Sequence, residues 1–539
     1  MTRHVVHNGI TWTLREGCTW LVTCGLLDRV CAGMQDPDMT VVRDNIIRRS
    51  ALLRTGTAEC SEVFVKYYKR GGMRDALKYL FLPSKVVREW KSLRLCERLG
   101  IPCPRPLAYG ERRDRGILKD SYLITQSLAP AEPLNEYVPQ RAAHGAERWL
   151  GEALARLVAT LHRERIYYRD LHGGNILVRT GGSAAGALVC VDLHRAYRLP
   201  WLPDQLAADD IAHLCNSLPA SRSERLRFLR TYCLVRFGHR AAENKLRTLI
   251  LRRQRLLEER RIRSRSKRCM VSSTQFEVRH TVRETYYGRR DFGYGSACCA
   301  IAAHRAQQGR VLKQASASCI SVHPDLDREP VCVKGYVMRG VWSALAQVVG
   351  LSRARKSWRA AHGLVVRGVD TPLPLALVER RTGILSQQSY FITRWLPDAL
   401  ELNTYVQAAG FGEKKREFVA ALAQTIRRLH GQGIYHGDMK SNNILVVQNG
   451  VTAWRFYFVD LDRVHFYRNL SFRQRANNLA QINASVAASI TVRDRLCFFH
   501  VYAHGTELWH ERKRYYRAIL AISRKKNTAP YGVFFSSGS

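Results

Sequence analysis

A chain of 539 residues is longer than one hydrophobic core ordinarily grows, so more than one domain is expected. Its 86 Lys and Arg against 45 Asp and Glu give a net charge of +41, which favours a polyanionic partner: nucleic acid, an anionic membrane surface or a phosphorylated glycolipid. The 15 cysteines include no CxxC and no Cys/His set at zinc spacing, and no run approaches the roughly 18 apolar residues of a membrane span, which excludes a zinc module and a helical span. The opening MTRHVVHNGITWTLREG has no apolar stretch, so a reduced, cytosolic compartment with mostly buried free thiols is expected.

In chain order, TVVRDNIIRRSALLRT and SEVFVKYYKR read as two β segments around a turn containing Gly56. Lys66 closes the alternating run Val63-Phe64-Val65. The pattern PSKVVREWKSLRLCERLG predicts a helix, with Pro83 and Ser84 as start signals and Gly100 as a stop. IPCPRPLAYGERR leads into a further strand pair ending in SYLITQSL. The remainder of this half reads as helical apart from LHGGNILV and ALVCVDLH.

The second half repeats that order at an offset of 268 residues. EPVCVKGY carries Lys334 where the first half has Lys66, and SRARKSWRAAHGL matches the helix. VDTPLPLALVERR matches IPCPRPLAYGERR, and SYFITRWLPDALELNTYV matches SYLITQSLAPAEPLNEYV. LHGQGIYHGDMKSNNILV repeats LHRERIYYRDLHGGNILV, and FYFVDLD repeats LVCVDLH. Units this long exclude a solenoid. The expected organisation is a first domain over 1–260 (core about 40–240), a basic linker over 261–275 and a second domain over 276–539 (core about 308–510). The junction RRQRLLEERRIRSRSKR, residues 252–268, holds nine Lys or Arg against two Glu and reads as a solvated linker or helix end, or as a patch for an anionic surface.

These motifs carry a definite chemistry. Phosphoryl transfer needs a carboxylate to orient the acceptor hydroxyl, an amide oxygen and a second carboxylate for Mg²⁺, and a lysine on the nucleotide phosphates. Asp170 with Asn175 five residues on fits the catalytic loop, Asp192 the metal-binding aspartate, Lys66 the strand lysine and Glu89 its helical partner. The second half offers Lys334, Asp438, Asn443 and Asp460, and adds Lys440, where the first half has His172. Ser357 stands where Glu89 would be, and no acid occurs from Gly335 through Val369. No GxGxxG precedes either lysine; 44–56, with Arg48 and Arg49, and 312–319 are the candidate nucleotide loops. A literal Asp-Phe-Gly at 291–293 precedes Lys334 with no catalytic loop before it, and reads as coincidence. The fold class expected is α+β, a tandem duplication of a bilobal, protein-kinase-like domain with a β-rich N-lobe and a helical C-lobe.

The run VKYYKRGGMRDALKYLFLPSKVVREWKSLRLCERLGIPCPRPLAYGERR, with YYRDLHGGNILV and VCVDLHRA, resembles the bacterial lipopolysaccharide kinases of the Kdo/heptose (WaaP-type, InaA-like) family. SWRAAHGLVVRGVDTPLPLALVERR and YHGDMKSNNILV extend the resemblance to the second half. It implies ATP- and Mg²⁺-dependent phosphorylation of a sugar hydroxyl in the lipopolysaccharide inner core, at the cytoplasmic face of the inner membrane. It implies Asp170 and Asp438 as catalytic acids, Asn175, Asp192, Asn443 and Asp460 as metal ligands, and Lys66 and Lys334 as phosphate lysines. The duplication and Ser357 depart from the family pattern.

The expected partners are the lipopolysaccharide core or another anionic glycolipid and, peripherally, an anionic membrane. Nucleic acid is not expected, since no RNA-recognition motif or basic-aromatic stacking platform occurs. Two other functions fit the residues: a kinase of protein Ser/Thr or of a small molecule, and a pseudokinase scaffold with one inactive half.

Overall fold

The computed structural model describes residues 2–31, 38–44, 48–69, 78–141, 147–181, 186–316, 318–324, 329–337, 352–382, 385–408, 414–450 and 453–525. The chain divides into two compact units, Met1–Glu259 and Arg260–Ser539, and each runs from a sheet-rich part to a helical part.

The first sheet contains β1 (Thr2–His7), β2 (Ile10–Arg15), β3 (Met39–Asp44), β4 (Arg48–Arg54), β5 (Glu62–Tyr68), β6 (Pro106–Asp114) and β7 (Ile117–Gln126). Their spatial order is β1-β2-β6-β7-β5-β4-β3, and neighbours pair antiparallel. Side chains alternate across a strand. Val63 and Val65 of β5 therefore enter one buried cluster with Trp12, Leu14, Leu53 and Ile124, while Lys66 faces the other side. The segment expected as one strand over Thr40–Thr55 is two, β3 and β4, paired to each other; residues 45–47 lie outside the described residues. The β1–β2 hairpin, before residue 40, is part of the same sheet through β6.

Helix α1 (Lys85–Arg98) forms where the sequence signals place it. The Ser84 hydroxyl accepts from the Val87 N–H at 3.3 Å, and Gly100 just beyond the helix takes φ +67°. Val86, Glu89, Trp90, Leu93 and Cys96 share its buried face. The helical part includes α2 (Glu147–Arg163) and α3 (Asp204–Ser217), with the hairpin β8 (Ile176–Arg179) and β9 (Leu188–Cys190) between them in sequence. That hairpin returns the chain from the Asp170 loop to Asp192.

Residues 243–267 form one helix, α4 (Glu243–Lys267), so the basic stretch before Arg268 is helical. Arg, Leu, Glu, Gln and Lys are all strong helix formers, which suffices to carry the helix through a solvated sequence.

The second sheet contains β10 (Phe276–His280), β11 (Glu284–Arg289), β12 (Arg310–Ala315), β13 (Ser318–His323), β14 (Val331–Val337), β15 (Pro374–Thr382) and β16 (Leu385–Arg394). Its order is β10-β11-β15-β16-β14-β13-β12, strand for strand that of the first sheet. Lys334 on β14 pairs in register with Phe391, as Lys66 pairs with Leu123. Helix α5 (Arg353–Val366) follows, then α6 (Lys415–Gly431), the hairpin β17 (Ile444–Asn449) and β18 (Ala453–Phe458), and α7 (Phe472–Ser485). The Asp-Phe-Gly at 291–293 follows β11: Phe292 is core, and Gly293 at φ +83° caps the next helix. All fifteen cysteines are free; five are buried, Cys299 is exposed and the rest are half-buried, fewer buried thiols than composition led us to expect.

Candidate active site

In the first unit β5 and α1 deliver their charges to one point. Lys66 Nζ donates to Glu89 Oε1 at 2.6 Å and to Asp192 Oδ1 at 3.4 Å. Glu89 is 1% exposed, and its second oxygen has no hydrogen-bond partner among the described residues. Asp192 directly follows the β9 run, and its backbone is left-handed at φ +62° and ψ +44°. A non-glycine residue there marks local strain, of the kind that gathers at functional sites. Arg48 Nη1 donates to Asp192 Oδ2 at 3.0 Å, and the His194 ring lies 3.0 Å from Oδ1. Burial raises the Asp192 pKa, but Lys66, the His194 hydrogen bond and Arg48 outweigh it and hold the carboxyl far below the usual range. For Lys66, burial opposes the ammonium, but Glu89 and Asp192 reverse that effect and raise its pKa.

Asn175 Nδ2 donates to the Asp170 carbonyl at 3.0 Å, which turns its own amide oxygen to other use. Asp170 Oδ2 lies 3.4 Å from Arg195 Nη1. The loop is anchored from beneath by Asp210 on α3, which accepts from the Tyr168 and Arg169 N–H groups at 2.8 Å each. His162 joins Asp210, at 3.4 Å, to the Tyr232 hydroxyl, at 2.7 Å. The Tyr168 hydroxyl donates to the Val191 carbonyl, so the loop before Asp170 also positions the residue before Asp192.

The second unit has the same frame with different connections. Lys334 Nζ donates to Asp460, which is left-handed at φ +58°. Burial raises the Asp460 pKa, but Lys334 overcomes it and the net shift is down. Asn443 Nδ2 donates to the Asp438 carbonyl at 2.8 Å, and Lys440 Nζ lies 3.1 Å from Asp438 Oδ1. Ser357 is buried and shares a 3.1 Å hydrogen bond with the Tyr336 hydroxyl. One turn earlier on α5, Arg353 Nε donates to Asp462 at 2.6 Å, two residues after Asp460. His436 takes the place of Tyr168 and donates from Nε2 to the Val459 carbonyl at 3.0 Å. Asn478 on α7 replaces Asp210: its side-chain oxygen accepts from the His436 N–H at 3.3 Å and its amide nitrogen donates to the His436 carbonyl. His430 lies 3.2 Å from Asn478 and 2.9 Å from the Tyr502 hydroxyl.

Lys66, Glu89 and Asp192 thus meet directly, as do Asp170 with Asn175, Lys334 with Asp460, and Asp438 with Asn443 and Lys440. Of the candidate nucleotide-loop residues, Arg48 reaches the site; 45–47 and 317 lie outside the described residues. Sequence reasoning missed His194, Arg195, Asp210, Asn478 and the Arg353–Asp462 pair. A signal for the loop anchors was present, because the Leu-His of the repeated frame contains His162 and His430.

A group of donor atoms from Glu89, Asp192 and His194 lies within 4.8 Å in the first unit. Mg²⁺ favours oxygen ligands in octahedral array. The Asp192 carboxylate, beside two cations and an imidazole, and the Asn175 amide oxygen are oxygen groups of the kind that could hold such an ion.

Among known proteins, the chain is 30% identical over 183 residues to the lipopolysaccharide core heptose(I) kinase WaaP of Pseudomonas aeruginosa, a match that covers 31% of this chain and 68% of the relative. It is 33% identical over 124 residues to the 3-deoxy-D-manno-octulosonic acid kinase of Xanthomonas axonopodis pv. citri, covering 22% of this chain and 48% of the relative. A solved structure of WaaP in complex with acyl carrier protein matches 46% of this chain and 98% of its own, at 25% identity and a TM-score of 0.35. The model of the lipopolysaccharide kinase (Kdo/WaaP) family matches residues 37–232 and again 330–502, well over half of the sequence; this chain belongs to that family and is a kinase.

Proposed function

We propose that the chain transfers the γ-phosphoryl group of ATP to a sugar hydroxyl, of Kdo or heptose, in the lipopolysaccharide inner core. The observation that carries this reading is the buried contact of Lys66 with both Glu89 and Asp192, at 2.6 and 3.4 Å, beside the Asp170–Asn175 loop. When bound, ATP supplies the phosphoryl group and Mg²⁺ offsets its negative charge. Lys66, held by Glu89, would face the nucleotide phosphates, and Asp192 and the Asn175 amide oxygen would hold the metal. Asp170 orients the acceptor hydroxyl and takes up its proton. The family and the two kinds of sugar kinase among its relatives support the substrate class.

The matching strand orders, the 268-residue offset and the double family match support a tandem duplication of one bilobal, protein-kinase-like domain, with domains over about 1–260 and 276–539. In the second unit Lys334 faces the phosphates, Asp438 the hydroxyl, Asn443 and Asp460 the metal, and Lys440 the transferred group. A second reading, in which this unit binds nucleotide but turns over slowly, is favoured by Ser357, which bonds Tyr336 and leaves Lys334 without a helical acid.

We place the enzyme peripherally on an anionic membrane at the cytoplasmic face. Phe81 is 86% exposed between Leu80 and Leu82, also exposed, and Lys78 and Lys85 flank them. Apolar side chains ringed by lysines bind an anionic interface by both burial and charge. Among the described residues no helix is long and apolar enough to cross a membrane.

The test is mass spectrometry of purified core oligosaccharide incubated with ATP and the full chain. One added phosphate on an inner-core sugar, absent with an Asp170→Asn, Asp438→Asn double variant, is expected; an unchanged core sinks the reading.

A further inference from the structure

The first unit has a cavity of about 720 Å³ on the outer side of α1. Its wall includes Lys85, Arg88 and Lys91 from α1, Arg169 from the catalytic loop, and Arg195 and Arg198 from the segment after Asp192. Among the described residues no acidic side chain lines it, and neither do Lys66, Glu89, Asn175 or Asp192. Clustered like charges around a concave wall focus a strong positive potential, and guanidinium groups match phosphate and carboxylate oxygens in pairs. The three elements that supply the cations are those that carry Glu89, Asp170 and Asp192. Arg195 also holds Asp170 at 3.4 Å, and a half-exposed contact of that length is weak.

The second unit repeats this wall only in part, keeping cations at Arg353, Lys356, Arg359 and Arg463. Gly437, Asp462 and Phe466 occupy the places of Arg169, His194 and Arg198. A Cβ at Gly437 would lie 2.7 Å from the Arg463 carbonyl oxygen, so an arginine there requires the backbone to move. Asp462 adds a negative charge and occupies Arg353.

We propose that this cavity binds phosphate substituents of the acceptor, so that the first unit acts on a carbohydrate already carrying phosphate and the second unit does not require it. The assignment of a carbohydrate acceptor rests on the function proposed above; the anion site does not.

The probe is inositol hexakisphosphate, titrated calorimetrically into the full chain. Arg88→Glu with Lys91→Glu is expected to weaken its binding by at least about tenfold, whereas Lys356→Glu with Arg359→Glu, at the matching places in the second unit, changes it by less than about twofold. Unchanged binding in the first variant, or equal loss in both, overturns the site. Melting temperature and ATP affinity, expected to be unaltered, show that the variants are folded. A second arm uses the Asp438→Asn chain, so that the first unit alone acts, on core oligosaccharide before and after phosphatase treatment, with inorganic phosphate as competitor. Loss of kcat/KM on treatment, and insensitivity of the treated substrate to the Arg88/Lys91 change, assign the occupant to the acceptor. Equal turnover of both substrates, or activation by free phosphate, overturns that assignment. No turnover of any carbohydrate would instead sink the proposed function, with the titration still deciding the site.

Discussion

The two units share a strand order and a loop frame, yet they join the helix to the site in opposite senses. In the first, α1 contributes an acid, Glu89, to the strand lysine. In the second, α5 contributes a base, Arg353, to an acid at the other wall, Asp462. Both arrangements fasten helix to cleft. A buried charge that loses its partner costs several kcal/mol, on the order of 3–5, so removal of one carboxylate is tolerated only with a rearrangement around the survivor. For Lys334 that rearrangement is visible: burial works against its ammonium, and Tyr336, Asp460 and Asp462 together reverse the effect, so its pKa is raised without a helical acid. Losing the glutamate therefore does not amount to losing the lysine's charge. What the second unit lacks is a carboxylate that holds the lysine from the helix side.

This comparison is broken most severely at the loop aspartates. Asp170→Asn and Asp438→Asn, made separately, are each expected to lower the phosphate transfer of their own unit by about a hundredfold or more, read as product formed per minute. If the units are equal machines each change halves total turnover, and a far larger share lost with Asp170→Asn ranks the first unit as the working one. Next in size is stability. Trp358 is fully buried, donates to the Cys269 carbonyl at 3.1 Å and meets Phe276 edge-on, whereas its counterpart Trp90 packs on Tyr109 with its rim less covered. Trp358→Ala should cost about 3–5 kcal/mol, with Trp90→Ala nearer the lower end, measured by denaturant titration.

The helix contact itself is sharpened by exchange. Glu89→Gln should reduce kcat/KM of the first unit by about tenfold, the worth of one charged hydrogen bond. Ser357→Glu in an Asp170→Asn chain should raise the turnover of the second unit; a fall with an unchanged melting temperature would show that the Arg353–Asp462 arrangement excludes an acid there.

The loop anchors predict different responses to acid. Burial lowers the pKa of His430 to about 3; the hydrogen bond to Asn478 works against the shift, but Asn478 carries no charge to add to it. An unfolded histidine titrates near about 6.5, so the stability this neutral ring contributes is present above that pH and is lost as pH falls toward 3. His162 is also lowered by burial, but Asp210 works against the shift. The second unit should melt earlier between about pH 6 and 4, and Asn478→Asp should narrow the gap, as two resolved transitions in calorimetry would report. The smallest effect expected is at the helix start: Ser84→Ala removes a cap worth about 1 kcal/mol, and Ser352→Ala removes both a cap and a buried hydrogen bond to Glu379, so it should cost more.

Much of this was readable in order along the chain. The helix Lys85–Arg98 announces itself through Ser84, its apolar spacing and Gly100, all local signals. Lys66, Asp170, Asn175 and Asp192 stand out because each occupies a short frame that the chain repeats. The basic junction read as a solvated linker or a helix end, and it is the end of a helix; solvated arginines and a helix are compatible, and composition alone does not separate the two readings. The β1–β2 hairpin escaped because its partner β6 lies about a hundred residues away, and pairing register is set by packing rather than by the strand's own residues.

The sequence by itself determined which residue types recur, in what order and at what spacing, and with that the chemistry available. Only the tertiary structure decided who meets whom: Arg195 on Asp170, Arg353 on Asp462, Ser357 on Tyr336, and a wall of cations around one cavity. The reason is physical. Such contacts join residues 21 to 109 apart in sequence, and their energies depend on burial and distance, quantities that exist only once the chain has closed on itself.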